Sequence, residues 1–174
     1  MKIIKEYPRL ETERTVLRIL TKENAMEVFM HFSDPVVTRF MDIEPCKDIK
    51  DAEEIIHYHE DDLGCRWGIV ERSNGIFIGT IGFHYLRQND EVFIAEIGFD
   101  LAKSYWGKGY MTEVIKEVIS FGFTTMGLDT IDATVETNNQ KSIKILETFG
   151  FKRDIELRDQ LFYYSLHWRD YQPK

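Results

Sequence analysis

The chain is poor in cysteine: only Cys46 and Cys65 occur among 174 residues, without metal or redox spacing. A disulfide-stapled fold is therefore not expected, and a reducing cytoplasm is the expected setting. No apolar run reaches membrane-spanning length, and the opening MKIIKEYPRLETER lacks the apolar core of a leader. Repeats, low-complexity segments and linkers are absent as well. A basic face is also missing, since 22 Lys and Arg against 30 Asp and Glu leave a net charge of −8. That balance argues against nucleic acid as a partner and suits a cationic one, such as an amine or a basic peptide end. What the chain does have is 43% hydrophobic and 13% aromatic residues, ample for a core that buries roughly two-thirds of the unfolded surface.

Periodicity organises the chain as follows. Thr15 to Leu20 reads as a first strand. Thr21 is set to cap a helix carrying Ala25, Val28, Phe29 and Phe32 up to Pro35. A second helix is expected through Ala52, Ile55, Ile56, His59 and Leu63, between Asp48 and Gly64. Trp67 to Val70 and Ile76 to Tyr85 form strands joined through Ser73-Asn74-Gly75. After the polar turn RQNDE, Val92 to Leu101 is apolar on both faces, as a covered central strand must be. A helix after Gly109 aligns Met111, Val114, Ile115, Val118, Ile119 and Gly122. Ile131 to Glu136 is the next strand, and a helix from about Asn139 buries Ile143, Leu146 and Phe149 and stops at Gly150. Strands Phe151 to Leu157 and Leu161 to Trp168 complete the order βααβββαβαββ. This is a mixed α/β fold whose sheet of about seven strands carries helices on both faces.

The most informative stretch is Glu96 to Phe123, where Gly107 and Gly109 bracket Lys108 between strand and helix. Glycine permits the tight turn, and the helix start aims unpaired N–H groups and the positive end of its dipole at one spot. Such a spot binds phosphate. A Walker-type loop fails because Lys-Ser or Lys-Thr does not follow the second glycine. A dinucleotide fingerprint fares better, with Glu136 as its ribose acid, but Thr112 replaces the third glycine. An ordinary strand-to-helix turn is the remaining alternative.

The run WGKGYMTEVIKEVISFGF, with NNQKSIKILETFGF downstream, resembles the GNAT superfamily of acetyl-CoA-dependent N-acetyltransferases. Within it, Trp-Gly-Lys-Gly-Tyr, the opening Leu10-Glu11-Thr12-Glu13-Arg14 with Leu17-Arg18, and Ala95-Glu96-Ile97-Gly98-Phe99 resemble the branch that acetylates ribosomal-protein N-termini. The resemblance covers essentially the whole chain and implies one N-acetyltransferase domain, residues 1–174, with a splayed sheet. It implies that Trp106, Gly107, Lys108, Gly109, Tyr110, Met111 and Thr112 hold the CoA pyrophosphate. Here Trp106 and Met111 depart from the usual Arg/Gln-x-x-Gly-x-Gly/Ala pattern. By the same resemblance, backbone groups near Phe99 and Leu101 hold the pantetheine arm, and Asn139 and Ser142 line its thiol end. From the residues alone, Asn138 or Asn139 caps its helix, and Asn139 and Ser142 share one helical face. Gly98 suits a bulge or a close backbone approach.

Acetyl transfer needs an unprotonated amine, a polarised thioester carbonyl and a proton for the departing thiolate. Glu96, the sole acid between Val92 and Phe99, is the candidate base, with a structural carboxylate as the alternative. Ser142 is the candidate for placing water at the thiolate, and Tyr163 or Tyr164 approach from the last strand. Leu146 stands seven residues after Asn139, where relatives carry a tyrosine acid, so direct transfer with solvent protonating the thiolate is expected. Cys46 and Cys65 lack an activating motif for a covalent route. His57 and His59, two apart on a helix, point to different sides, so no metal is expected. Nine carboxylates between Asp42 and Asp62 form a solvated face or an acidic rim at the acceptor entrance. The expected acceptor is a protein N-terminal α-amine; a polyamine, an antibiotic-type amine and a non-catalytic CoA-binding module are the rivals. The terminal strands offer an edge for a homodimer.

Overall fold

The computed structural model describes Ile4 and residues 6–173. Strands β1 (Leu10–Glu11) and β2 (Thr15–Ile19) lead to helices α1 (Ala25–Phe32), α2 (Pro35–Thr38) and α3 (Ile49–Asp61). Strands β3 (Cys65–Glu71), β4 (Phe77–Asn89) and β5 (Val92–Leu101) follow, then α4 (Tyr110–Phe121) and β6 (Thr130–Glu136). Helix α5 (Gln140–Thr148) and strands β7 (Lys152–Arg153) and β8 (Leu161–His167) end the series. The eight strands form one sheet in the order β1-β2-β3-β4-β5-β6-β8-β7. Neighbours are antiparallel except β5 and β6, which are parallel.

The two faces of the sheet separate by alternation along each strand. One face carries Leu17, Trp67, Ile69, Ile81, Phe83, Ile97, Ile131, Ala133, Tyr164 and Leu166, packed against Val114, Ile115, Val118 and Ile119 of α4 and Ile143 and Leu146 of α5. The opposite face meets α1 and α3 through a smaller cluster of Leu20, Val28, Phe32, Ala52 and Ile56. It also carries buried Arg66, Thr80, Asp100 and Asp132.

Several expectations are corrected. The sheet has eight strands rather than seven, because Leu10–Glu11 pairs along β2. Pro35 opens α2 at its first turn, where a missing N–H is harmless, instead of only ending α1. A 3-10 turn over Lys22–Asn24 follows Thr21, so α1 begins at Ala25. Leu63 lies beyond α3 and is 71% exposed. Arg87 to Asn89 belong to β4, and the turn shrinks to Asp90 and Glu91. Gly98 is not a bulge: it pairs in register with Gly82, while the register shifts between His84 and Arg87, where Tyr85 has φ 50°. The strand expected to Leu157 stops at Arg153. Ile155 there is 99% exposed, because no layer covers this sheet edge.

Candidate active site

Strands β5 and β6 pair only from Ile94 to Glu96, opposite Thr130 to Asp132. Farther on, β6 stays with β8 through Glu136 while β5 follows β4 to Leu101. The two parallel strands therefore part, and one edge of β5 is open. Ala102 donates its N–H to the Ile78 carbonyl. Antiparallel alternation then turns Asp100 and Gly98 toward β4, and the backbone groups of Ile97, Phe99 and Leu101 into the gap. Consistent with this, the Leu101 carbonyl accepts the Trp106 indole N–H at 2.8 Å.

The glycine turn closes one end of that gap. Gly107 and Gly109 have φ 71° and 81°, which side-chain-bearing residues rarely adopt. Gly109 is the N-cap of α4 and brings no side-chain acceptor, so the amides of Tyr110, Met111 and Thr112 face outward without upstream helical partners. Arg14 braces the turn from β1–β2. Its N–H and Nε bind the two Glu113 carboxylate oxygens at 2.7 and 2.8 Å, and Nη1 donates to the Lys108 carbonyl at 3.0 Å. The guanidinium lies 4.0 Å above the Tyr110 ring, whose hydroxyl donates to Glu71. Lys141 of α5 places its ammonium 3.4 Å over Trp106, beside the turn. With cations nearby and the amides open, the geometry suits a polyanion.

On the polar face, Asp100 is fully committed: His31 of α1 binds one oxygen at 2.5 Å, and Arg66 and Thr80 bind the other at 2.9 and 2.6 Å. Burial alone would raise this carboxyl, but the bonds and charges of His31 and Arg66, with Thr80, hold it below its ordinary value. Beside this network, Glu96 Oε1 meets His84 Nε2 at 2.9 Å and accepts the Thr134 hydroxyl at 3.3 Å. Asp132, the register neighbour of Glu96, is bound by Arg87 and by the Tyr163 hydroxyl at 2.6 Å. Burial, aided by Asp132, pushes the Tyr163 phenol up to about 12, so it stays protonated at neutral pH.

A model of the acetyltransferase (GNAT) domain matches residues 14–152. The chain belongs to the GNAT acetyltransferase family. An uncharacterized N-acetyltransferase of Bacillus subtilis, YoaA, is 38% identical over 160 residues, spanning 90% of this chain and 89% of that protein. The spermidine N(1)-acetyltransferase of Vibrio cholerae is 26% identical over 122 residues, 68% of each chain. Among solved structures, the ribosomal-protein-S5-alanine acetyltransferase of Vibrio fischeri superposes with a TM-score of 0.75 at 19% identity, over 96% of this chain and all of that one.

GNAT membership implies acetyl-CoA as cosubstrate, and the structure places the sequence-derived residues as follows. Phe99 and Leu101 face the gap, and Gly107 to Thr112 form the cradle. Tyr110 and Met111 are buried, so only their amides are available to a ligand. Trp106 serves as a strut from the cradle to β5. Asn139 caps α5, its side chain accepting the Ser142 N–H at 3.3 Å. Tyr164 does not reach this side of the sheet: it is fully buried on the other face and bonds Glu147. The Glu96 side chain keeps 21% exposure beside His84. Burial raises both thiols, Cys65 to about 12, which leaves neither as a nucleophile. His57 faces solvent and pairs with Asp61, whereas His59 turns inward and burial lowers it to about 4. Residues that sequence reasoning passed over are Arg14, His84, Arg66 and Asp132. Arg14 stood within the quoted LETER segment, but its partner Glu113 is 99 positions away.

Proposed function

We propose that this GNAT acetyltransferase moves the acetyl group of acetyl-CoA to a protein N-terminal α-amine, directly within a ternary complex. The observation that carries the reading is the succession of three features along β5 and its following turn: the Glu96 carboxylate where the strands part, the unpaired edge of β5, and the amide cradle at Gly107–Thr112. In this reading the cradle holds the pyrophosphate, Phe99 and Leu101 hold the pantetheine arm, and Asn139 and Ser142 lie toward its thiol end. An N–H of β5 in the gap polarises the thioester carbonyl, and a base where the strands part removes the amine proton. The name of the Vibrio fischeri enzyme supports a protein N-terminus as acceptor, and the acidic face of α3 suits a basic one. The spermidine acetyltransferase relative, taken with the acidic face of α3 in this chain, favours a polyamine as the second reading.

Calorimetric titration of acetyl-CoA into the pure protein, followed by free-thiol release with basic N-terminal peptides and with polyamines, tests this. Saturable binding with peptide-dependent thiol release is expected. Release with polyamines alone would transfer the assignment to the second reading. No binding would remove the proposed role of the glycine cradle.

A further inference from the structure

The imidazole of His84 has no assigned place in the reaction, yet it is oriented as a base. Its Nε2 lies 2.9 Å from Glu96 Oε1, and that oxygen is shared with the Thr134 hydroxyl. A carboxylate only accepts, so Nε2 carries the hydrogen and the lone pair belongs to Nδ1. Nδ1 has no hydrogen-bond partner among the described residues. It is not one of the enclosed unpartnered atoms either, which are Asp62 Oδ2 and Asp132 Oδ1; the side chain is 29% exposed. The ring lies against Gly98: a Cβ there would sit 2.9 Å from His84 Cε1 and 3.5 Å from Nδ1. This puts the free nitrogen over β5 between Ile97 and Phe99, whose backbone groups open into the gap.

We propose that His84 takes the proton from the acceptor amine through Nδ1 and that Glu96 is its positioning carboxylate. This assignment rests on the acetyltransferase reading above. The arrangement parallels any carboxylate–imidazole pair in which the acid fixes the tautomer and the far nitrogen works. The ammonium gives one proton to Nδ1, which passes it to water. The neutral nitrogen then forms the C–N bond to the acetyl carbon. As the C–S bond breaks, its electron pair leaves on sulfur, and the second amine proton ends there as the CoA thiol. The charged and titratable groups around His84 are Glu96 on β5, Arg66 and Asp100 beneath Gly98, His59 from α3, and Asp132 with Arg87 and Tyr163 toward β6 and β8. Burial and the charge of Arg66 keep His59 neutral at neutral pH, at about 4, so it does not compete as a proton carrier.

The test compares H84Q, H84A and E96Q with the parent by thiol release across pH, with acetyl-CoA binding by calorimetry as the control for folding. H84Q is expected to lose roughly a hundredfold or more in kcat, to keep its acetyl-CoA affinity, and to lose the acid limb of the kcat/KM profile. E96Q, whose amide oxygen still accepts from Nε2, loses less and keeps that limb. In H84A, added imidazoles restore turnover in the order of their basicity, which a merely structural histidine would not produce. An acid limb that survives in H84Q and disappears in E96Q would overturn the assignment while leaving the transferase intact. Absence of amine-dependent thiol release in the parent would overturn the proposed function, and this inference with it.

Discussion

The two faces of the one sheet are built on opposite principles. Beneath α4 and α5 the face is almost wholly apolar, from Leu17 through Trp67 and Phe83 to Ile131 and Leu166. There, burial of hydrocarbon is the driving force, at about 25 cal/mol per Å². The face toward α1 and α3 buries Arg66, Asp100 and His31, which satisfy one another, and Asp132, which is held by Arg87 and Tyr163. Buried charges of this kind add little net stability, yet removing one partner is severe. The first face holds the sheet together; the second fixes side chains where the strands part.

Four substitutions break or sharpen this contrast. Trp67→Ala should be the most disruptive, at roughly 3–5 kcal/mol, by emptying the space between the Tyr7 and Phe121 rings; thermal melts would read it as a large fall in Tm. Asp100→Ala attacks the polar face and should also lower stability by about 3 kcal/mol, since Arg66 and His31 lose their shared partner. Its pH signature separates it from Trp67→Ala. A carboxyl held low in the folded state contributes fully above its ordinary value of 3.8 and loses that contribution as pH falls below it. Acid unfolding of the Asp100→Ala protein should therefore be less steep, and an unchanged slope would remove Asp100 from the account. Gly98→Ala should divide the two roles. A methyl 2.9 Å from Arg66 Nη1 and His84 Cε1 displaces groups at the gap and should lower turnover roughly tenfold, about 1.4 kcal/mol of barrier, with acetyl-CoA affinity maintained. The smallest effect belongs to Arg158→Ala, where an exposed pair with Asp154 contributes about 0.5 kcal/mol or less.

Much of the site was legible because its parts are local. The Gly107-Lys108-Gly109 turn, the capping by Asn139 and the apolar stripe of α4 depend on residues a few positions apart. The span of β5 is legible because apolar residues occur on both of its faces, Val92 and Ile94 on one and Phe93, Ala95, Ile97 and Phe99 on the other. The pattern of Phe151 to Leu157 predicts a longer strand than the Lys152–Arg153 that forms, because Ile155 and Leu157 have strand character but no layer above them. Arg14 escaped notice for a different reason: its meaning depends on a contact with α4 that no spacing rule announces.

The residue types, the strand and helix periods, the glycine cradle and the acidic balance were determined by the sequence alone. Only the tertiary structure chose the neighbour of Glu96. Counting back from the turn at Asp90 and Glu91 in the register of Asn89 with Val92 and Arg87 with Ile94 sets Tyr85 opposite Glu96. The shift between His84 and Arg87 displaces the strand by one residue and puts His84 there instead. Side chains alternate between faces with a period of two, so that single step sends the imidazole, not the phenol, to the carboxylate.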